Sequence, residues 1–434
     1  MLALTPANGD TNVSVQDPIQ VTFSERVKIG PSAVTLATPS GTIISTRVIL
    51  SSDQRTITIT PVAEQKAPAE LVAHFGDVSA LDGRPLASIP NWSWTLPPWL
   101  RMGSRLTERF ILGDASVAAG RGRRIALVAK ERNDDAKPKW TVSTLDTLHG
   151  TWTQLGDPLS LITWDPHILF DPNDNLVLSS DHAPGNTRDK VVQRWSGTGW
   201  DKLGVPIHEV RDVTDSPLAI DANGRLLLAC SEGIPGETIT YNVIVRAFDA
   251  NGTWSPIGGP VNDSPTADAL HPRIAVDPAG VPYVAYTDSS THVRKWTGSA
   301  WMPVGSTLST TPSGDPRSLG IAFDDAGRLF AIGSFWDGTT RVIRFDGSDW
   351  VPVGAPLSTE YSSAPSIVRG HNGHIFATVY TNYGNQAFRV ADITKDGWTM
   401  FEPSIEGFAV SLTVDRDNVP IVISSESGVL RPNR

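Results

Sequence analysis

Tryptophan recurs at nearly constant spacing through most of this 434-residue chain. Seven of the tryptophans follow one another at intervals of 53, 48, 54, 47, 49 and 48 residues: Trp99, Trp152, Trp200, Trp254, Trp301, Trp350 and Trp398. Self-similarity at a fixed period of this size is typical of proteins built from repeated structural units. The sequence therefore predicts seven units of about 48 residues, and this repeat limits the possible folds more than any other feature.

Each unit contains signals for four short strands. The tryptophan usually opens a pattern W-x-x-(apolar)-G, as at Trp301 to Gly305. A D-x-x-G-like turn between two apolar runs follows, as from Pro217 to Ala229, and predicts a tight hairpin. A third strand precedes the next tryptophan. Four-stranded units repeated around an axis form a β-propeller, so we predict an all-β, seven-bladed propeller with the tryptophans packed between blades.

The two ends of the repeat region suggest how the ring closes. The last unit, from Phe408 to Arg431, has signals for only three strands. The segment Trp99 to Leu106 carries the tryptophan pattern but precedes the first complete unit. We therefore expect this N-terminal segment to supply the missing outer strand of the last blade.

Composition excludes several classes of protein. With 37 Gly and 33 Pro, the chain has many turn formers and is not expected to form long helices. The net charge of −10 opposes binding to a phosphate backbone, so nucleic acid is not an expected partner. Cys230 is the one cysteine and is expected to be a buried thiol. No apolar run approaches 18 residues, so we expect no membrane insertion.

Residues 1–96 lie outside the repeat and alternate apolar with polar residues, as from Ile19 to Phe23 and from Ile57 to Thr60. This alternation predicts a separate β-sandwich. Pro97 and Pro98 follow, and each fixes its own φ and restrains the residue before it. We therefore expect a short, stiff linker at 97–98 and the propeller at 99–434.

Residues 3–96 carry four segments that together resemble the bacterial Ig-like domains of surface-layer and other exported proteins. These segments are Thr5 to Gly9, Pro18 to Glu25, Asp82 to Leu86 and Trp92 to Thr95. The resemblance implies an Ig-like spacer or adhesive module without catalytic residues. The repeat region is similar to exported bacterial propellers that carry a W-x-x-V-G strand, and to kelch, sialidase and lectin propellers in fold only, which does not define a function.

Ligand binding is expected on one end of the propeller. The connections between blades, and those joining the second strand to the third, vary in length, and variable loops on a rigid scaffold often bind ligands. The other end holds short, uniform turns and is expected to be structural. A recurring proline precedes the first strand of several units. We expect the binding residues to be Asp165, His271, Arg273, Asp315, Arg317, Trp336 and Tyr383.

A structural alternative for the residues before these prolines is that each X-Pro step starts a strand in extended backbone and that Asp or Ser caps nearby N–H groups. No metal or cofactor is expected. The nine histidines show no H-x-x-x-H spacing. Asp171 to Asn175 resembles the start of a calcium loop, but Leu176 occupies the required glycine position, so a hairpin turn is expected.

The preferred hypothesis is a non-enzymatic extracellular or cell-surface protein that binds a surface glycan or protein. The export signal is then missing from this sequence or export follows another route, because Met1 to Asp10 does not resemble a signal peptide. One alternative is a structural component of a surface layer, tail or injection apparatus. Another is a polysaccharide-active enzyme, which needs two carboxylates about 5 to 10 Å apart. Its candidate carboxylates are Asp165, Asp215, Asp268, Asp315, Glu360 and Glu406.

Overall fold

The chain divides into two compact units, residues 1–101 with 431–434 and residues 102–430. The computed structural model describes residues 3–85, 91–104, 106, 110–131, 139–145, 150–159, 166–182, 188–209, 217–234, 240–264, 267–308, 318–335, 338–359, 366–382 and 386–434. These residues are all-β apart from a single 3-10 turn at Arg121–Arg123, which confirms the predicted class. None of the described helical segments is long and apolar enough to cross a membrane.

The first unit contains two four-stranded sheets around one core. In spatial order, the first sheet comprises Ala3–Thr5, Ile19–Thr22, Thr56–Pro61 and Thr46–Leu50. The second sheet comprises Trp92–Leu96, Ala69–Phe75, Val34–Ala37 and Ile43–Ile44. Val27–Ile29 and Val78–Ala80 form a separate two-stranded ribbon.

Alternation in sequence explains the core of this unit. In Thr56–Pro61, Ile57 and Ile59 are buried while the threonines between them face outward, because successive side chains of a strand point to opposite faces. Trp92 and Trp94 of the last strand are also buried, and the Trp92 indole N–H donates to the carbonyl of Pro6 at 2.9 Å. The closing tryptophan pair is thus part of the core.

The second unit is a succession of four-stranded antiparallel sheets, which we number in chain order. The first sheet comprises Phe110–Ala119, Ile125–Glu131, Trp140–Leu145 and Thr153–Gln154, and the second comprises His167–Phe170, Leu176–His182, Arg188–Trp195 and Trp200–Lys202. The third sheet comprises Leu218–Ile220, Leu226–Ile234, Thr240–Phe248 and Trp254–Pro256. The fourth sheet comprises Leu270–Val276, Pro282–Thr287, Thr291–Trp296 and Trp301–Pro303. Ile207–Glu209 adds to the third strand of the second sheet.

The remaining sheets continue the pattern. The fifth and sixth are Ser318–Phe323, Leu329–Ser334, Thr340–Phe345, Trp350–Pro352; and Ile367–Arg369, Ile375–Asn382, Ala387–Thr394, Gly397–Met400, with Ile405–Glu406 added to the third strand of the sixth. The seventh contains Ala409–Val414, Pro420–Ser424 and Gly428–Pro432. Beside this sheet, the Met102 N–H donates to the Val429 carbonyl at 2.8 Å.

Apolar clusters join each sheet to the next from the first to the sixth. Between the sixth and the seventh, the Tyr380 ring lies 6.1 Å from the Phe408 ring, and the Ala409 N–H donates to the Tyr380 hydroxyl at 3.1 Å. One further cluster joins the seventh sheet to the first and contains Ile421, Leu127 and Trp152. The other clusters include Val128 with Leu178, Val177 with Leu228, Val243 with Val284, Ala285 with Ile321, and Phe330 with Ala377.

The repeated tryptophans link one motif to the next. The indole N–H of six of the seven donates to a backbone carbonyl of the preceding motif, over distances from 2.7 to 3.4 Å. The donor and acceptor pairs are Trp152 to Met102, Trp200 to Leu155, Trp254 to Leu203, Trp301 to Ile257, Trp350 to Val304 and Trp398 to Ala355. The repeat predicts low exposure for five of these rings. Trp152, Trp254, Trp301 and Trp350 are indeed only 7 to 9% exposed, whereas Trp200 is half-buried.

The glycine of the motif has a steric role. Gly305 has a φ of 67°, and a Cβ at this position would lie 3.0 Å from the Trp350 ring. A side chain is therefore disfavoured both by the left-handed backbone and by the ring of the next motif. The glycine of one motif therefore packs against the tryptophan ring of the next motif.

The aspartate turns have a common local structure. In the third sheet, the Asp221 carboxylate accepts the N–H groups of Asn223 at 2.9 Å and Arg225 at 3.0 Å. Asp171 makes the same two bonds, to Asn173 and Asn175, so this segment is a hairpin turn as predicted. Short polar side chains that bind backbone N–H groups two and four residues ahead stabilise such turns.

Turns of adjacent sheets also contact one another. Arg124 of the first sheet bonds Asp174 of the second at 2.8 Å, and Arg123 bonds Asp417 of the seventh at 3.3 Å. The guanidinium of Arg369 in the sixth sheet donates to Asp325 in the fifth at 2.8 and 3.0 Å. We call this end of the sheets the turn end, and its contacts indicate a role in holding neighbouring sheets together.

Replacing Gly280 by Ala should destabilise the second unit. Gly280 has a φ of 87°, and a Cβ there would overlap the Cβ of Ala222 in the adjacent turn. We expect the free energy of unfolding to fall by about 2 to 5 kcal/mol, from left-handed strain and the overlap together. Gly298→Ala is the control, because Gly298 has a φ of 94° and a methyl group at this position would meet no atom within 4 Å.

The control should lose only about 1 to 2 kcal/mol, the strain alone. Denaturant unfolding followed by tryptophan fluorescence measures both variants. Equal losses in the two variants would show that the contact between the turns of Gly280 and Ala222 does not contribute to stability.

Candidate functional site

The end of the sheets opposite the turn end, which we call the loop end, holds the two predicted binding residues that the structure describes. These are His271 and Arg273, at the start of the fourth sheet. The other predicted residues lie outside the described part of the chain: Asp165, Asp315, Arg317, Trp336 and Tyr383. Whether the seven residues converge stays a prediction.

His271 is exposed and has a φ of 54°, in the left-handed region. The expectation that the X-Pro step places this residue in extended backbone is therefore wrong. The pairing of the first two strands shifts register between Leu270 and Arg273, so that two residues of the first strand lie opposite one residue of the second. This irregularity turns the His271 backbone while Pro272 is buried beside it.

Arg273 follows in the regular part of the strand and pairs with Ala285. Its Nη1 donates to the Pro272 carbonyl at 3.0 Å, and the residue is half-buried. The two described candidates are thus two residues apart on one strand, with His271 exposed and the Arg273 guanidinium held close to the backbone.

A network that the sequence patterns did not predict lies on the next two strands of the same sheet. Tyr286 pairs with His292 across the strands, and their rings stack at a centroid distance of 5.1 Å and an angle of 18°. Arg294 lies on the same face, because it pairs with Val284, two residues from Tyr286. Its Nε donates to the Tyr286 hydroxyl at 3.2 Å.

Two carboxylates complete the network. Asp288 contacts the Nε2 of His292 at 3.0 Å, and both side chains are largely buried. The other carboxylate, Asp263, is bound by the second terminal amino group of Arg294, yet the Asp263 side chain is 79% exposed. The network therefore presents an exposed acceptor that is fixed by a buried cation.

The position of Asp263 is set by the residue before it. Asn262 accepts the Val243 N–H at 3.0 Å and donates to Asn242 at 2.7 Å and to the Ser264 carbonyl at 2.8 Å. These bonds attach the connection between the third and fourth sheets to the third sheet. Because a preorganised group loses less conformational entropy on binding, Asp263 is suited to hold a ligand hydroxyl.

Burial raises the pKa of the Tyr286 hydroxyl, and the Arg294 guanidinium opposes this shift. Tyr286 is therefore neutral near pH 7, and its hydroxyl can accept from Arg294. The sequence signal for the network lies between Tyr286 and Arg294. Tyr286 precedes the turn between two strands, and His292 and Arg294 follow the turn two residues apart, which places them on one face of the second strand. A comparison of loop lengths between the repeated units does not reveal this pattern.

The neighbouring third sheet carries an ion pair at the same end. Arg246 donates to both oxygens of Glu232, at 2.6 and 2.8 Å, and this hydrogen bonding raises the pKa of Arg246. The buried Cys230 thiol lies 3.3 Å from Glu232. The prediction of a buried thiol is confirmed, and the ion pair is already satisfied by its own partner.

Within the described ranges, no three His, Cys, Asp or Glu side chains form a group that could hold a metal ion. Of the carboxylates named for an enzyme, only Asp268 and Glu406 are described. Asp268 accepts the backbone N–H of Tyr241 at 3.0 Å, which is a structural use of its carboxylate.

Comparisons with known proteins agree with this all-β organisation. Residues 1–96 match the family model described as bacterial Ig-like domain. Similar solved structures are β-propellers, among them the WD40 β-propeller domain of Doa1, at 12% identity and a TM-score of 0.46 over 75% of this chain and 92% of that chain. No curated protein matches the sequence.

Two other solved structures align at a TM-score of 0.50. Streptogramin B lyase is 14% identical over 76% of this chain and 99% of that chain. An ulvan lyase, described as a new family of polysaccharide lyase bound to -[GlcA(1-4)Rha3S]-, is 12% identical over 75% of this chain and 95% of that chain. At these identities the likeness shows fold alone.

Proposed function

We propose that this protein is a non-enzymatic extracellular or cell-surface binding protein. In this proposal residues 1–96 form an Ig-like β-sandwich that acts as a spacer, and residues 97–98 are a linker. Residues 99–434 form a seven-bladed β-propeller that binds a surface glycan or protein at the loop end. The match of residues 1–96 to the bacterial Ig-like domain supports the surface location, because such domains are typical of surface proteins.

The order of contacts between sheets supports the propeller. Apolar or turn contacts run from each sheet to the next, and contacts between the seventh and first sheets join the ends of this series. A closed ring of blades needs both features. The strand Trp99–Arg101 would then be the outer strand of the last blade and would close the ring.

The observation that carries the binding proposal is the conformation of His271. A proline disfavours helical backbone at the residue before it, and a left-handed φ is uncommon for any residue other than glycine. Such strain is often retained where it serves a function. Here it occurs at an exposed residue of the loop end, two positions before Arg273.

The chemistry of the predicted residues suits a glycan. Trp336 and Tyr383 would supply flat apolar faces for sugar rings, and Asp165 and Asp315 would accept hydrogen bonds from hydroxyl groups. His271 and Arg273 would donate, with Arg317 near the mouth of the central channel. A set of side chains that differs between blades is needed for one specific ligand, and the repeated turns do not provide such a set.

Loop-end substitutions should abolish binding without unfolding the protein. A glycan array on the purified full chain first identifies a ligand, and titration with that glycan then compares variants. We expect Trp336→Ala with Tyr383→Ala to abolish measurable binding, and His271→Ala to weaken it about 5- to 30-fold, the effect of losing a contact worth about 1 to 2 kcal/mol.

Gly347→Ala is the control, because it changes an exposed position at the turn end where a Cβ would meet no atom within 4 Å, and it should leave affinity unchanged. Thermal unfolding checks that each variant is folded. If the glycan binds the loop-end variants as tightly as the original protein, the loop end is not the site, and the Ig-like domain becomes the next region to test.

A further inference from the structure

A cleft of about 540 Å³ lies between the third and fourth sheets at the turn end, away from the proposed loop-end site. Its floor includes Leu227, Ile257 and Trp296. Its rim is formed by the two aspartate turns, from Asp221 to Arg225 and from Asp277 to Pro282. An apolar floor with a polar rim is the usual composition of a small-molecule site.

Arg225 supplies a cation with free donors at this rim. Its Nε donates to Asp221 at 2.7 Å, and its side chain is 51% exposed. Among the residues that the structure describes, neither terminal amino group of Arg225 has a partner. In contrast, Arg124, at the same position in the first sheet, bonds Asp174 of the next sheet and lies over the Phe170 ring.

Trp296 supplies an aromatic surface at the floor. The ring is half-buried, packs over Gly258 and lies 5.4 Å from the Trp301 ring. The Trp301 indole N–H donates to Ile257, whereas the Trp296 indole N–H has no partner in the described part of the chain. Trp296 therefore offers both a flat apolar face and an unused donor.

The cleft lining carries two cationic side chains, Arg225 and Lys295, and two carboxylates, Asp221 and Asp277. Asp221 and Asp277 each accept two backbone N–H groups of their own turns, and Asp221 is buried. Arg225 and Lys295, both exposed, leave their cationic groups toward solvent at the rim. The Asn223 side-chain amide adds a neutral donor and acceptor at an exposed position.

We propose that this cleft is a second binding site, for an acidic saccharide. The sugar ring lies against Trp296, and a carboxylate or sulfate group of the saccharide accepts from Arg225. Charge-assisted bonds from Arg to an anion are stronger than neutral ones, and aromatic faces pack against the apolar faces of sugar rings. The site is independent of the loop end and does not rest on the proposed function.

The probe is an oligogalacturonate, with the fully methyl-esterified oligomer as its neutral counterpart, titrated into the full chain by calorimetry. The variant is Arg225→Asn. Asn175 occupies the same turn position in the second sheet, where its amide bonds the Asp171 carboxylate at 3.1 and 3.2 Å. The substitution therefore copies a turn that this fold already contains and keeps the Asp221 carboxylate paired.

The matched control is Arg328→Asn. Arg328 makes the same bond in the fifth sheet, to Asp324 at 2.6 Å, but does not line the cleft. We expect the original protein to bind the acidic oligomer and to bind its ester at least about ten-fold more weakly. Arg225→Asn should weaken binding of the acidic oligomer by at least about ten-fold, and Arg328→Asn should leave it unchanged.

A second variant, Trp296→Phe, tests the aromatic surface. Phe345 occupies the equivalent position in the fifth sheet and packs on Trp350 at 5.7 Å, so the fold accepts phenylalanine here. We expect a loss of affinity of about 3- to 10-fold, since the ring becomes smaller and the N–H is lost.

Three outcomes would overturn the proposal: no binding of the acidic oligomer, equal binding of oligomer and ester, or equal affinity of Arg225→Asn and Arg328→Asn. The loop-end proposal is judged separately. If His271→Ala weakens binding of the oligomer and Arg225→Asn does not, the loop end is the site and the cleft is not.

Discussion

Trp301→Ala is expected to lower the free energy of unfolding of the second unit by about 3 to 5 kcal/mol. The ring is 7% exposed and packs in the cluster that joins the third and fourth sheets, with Val261 and Val284. Removing it leaves a cavity between two sheets and also removes the hydrogen bond to the Ile257 carbonyl. Chemical denaturation of the purified chain measures the effect.

Trp301→Phe separates packing from hydrogen bonding. Phenylalanine retains much of the apolar volume but has no N–H, so we expect a smaller loss of about 1 to 3 kcal/mol. Met302→Ala is the surface control, because Met302 follows directly and is 48% exposed. A neutral Trp301→Ala variant would contradict the packing role that the repeated tryptophans have in this structure.

Breaking the buried ion pair of the second sheet should have a similarly large effect. Lys190 and Asp181 face each other on adjacent strands, and their side chains are 1% and 0% exposed. Lys190→Met removes the cation and leaves the Asp181 carboxylate buried. Because an uncompensated buried charge is strongly unfavourable, we expect a loss of about 3 to 5 kcal/mol.

The double variant, Lys190→Met with Asp181→Leu, gives the pair its own control. Replacing both charges with apolar groups of similar volume removes the uncompensated carboxylate, so we expect the double variant to be more stable than Lys190→Met alone. Urea denaturation of both variants provides the comparison. A double variant less stable than the single one would show that Asp181 stabilises the sheet through other partners.

The repeat alone determined most of the local structure. The spacing of the tryptophans and the aspartate turns predicted the strands of each sheet and the hairpins at Asp171 and Asp221. The reason is that these features are local, because a turn depends on residues a few positions apart. The alternation of isoleucine and threonine from Ile57 to Thr60 likewise predicted which side chains of this strand are buried in the core of the first unit.

Sequence reasoning identified only part of the candidate chemistry. His271 and Arg273 lie at the loop end, but the left-handed backbone of His271 follows from an irregular strand pairing that the sequence does not encode as a local signal. Tyr286, His292 and Arg294 were missed, since their contacts depend on the register between two strands. A shift of one residue would separate these side chains onto opposite faces of the sheet.

The all-β class, the repeated units and the local turns could be predicted from the sequence, because periodic burial and turn chemistry act over short distances. The contacts between side chains of different sheets could not be predicted in this way and were found in the folded structure. Asp263 reaches Arg294 from the connecting segment, and Arg225 and Trp296 share a cleft although they are far apart in the chain. Such contacts between distant side chains depend on strand register and on the packing of one sheet against the next, and a single sequence pattern specifies neither.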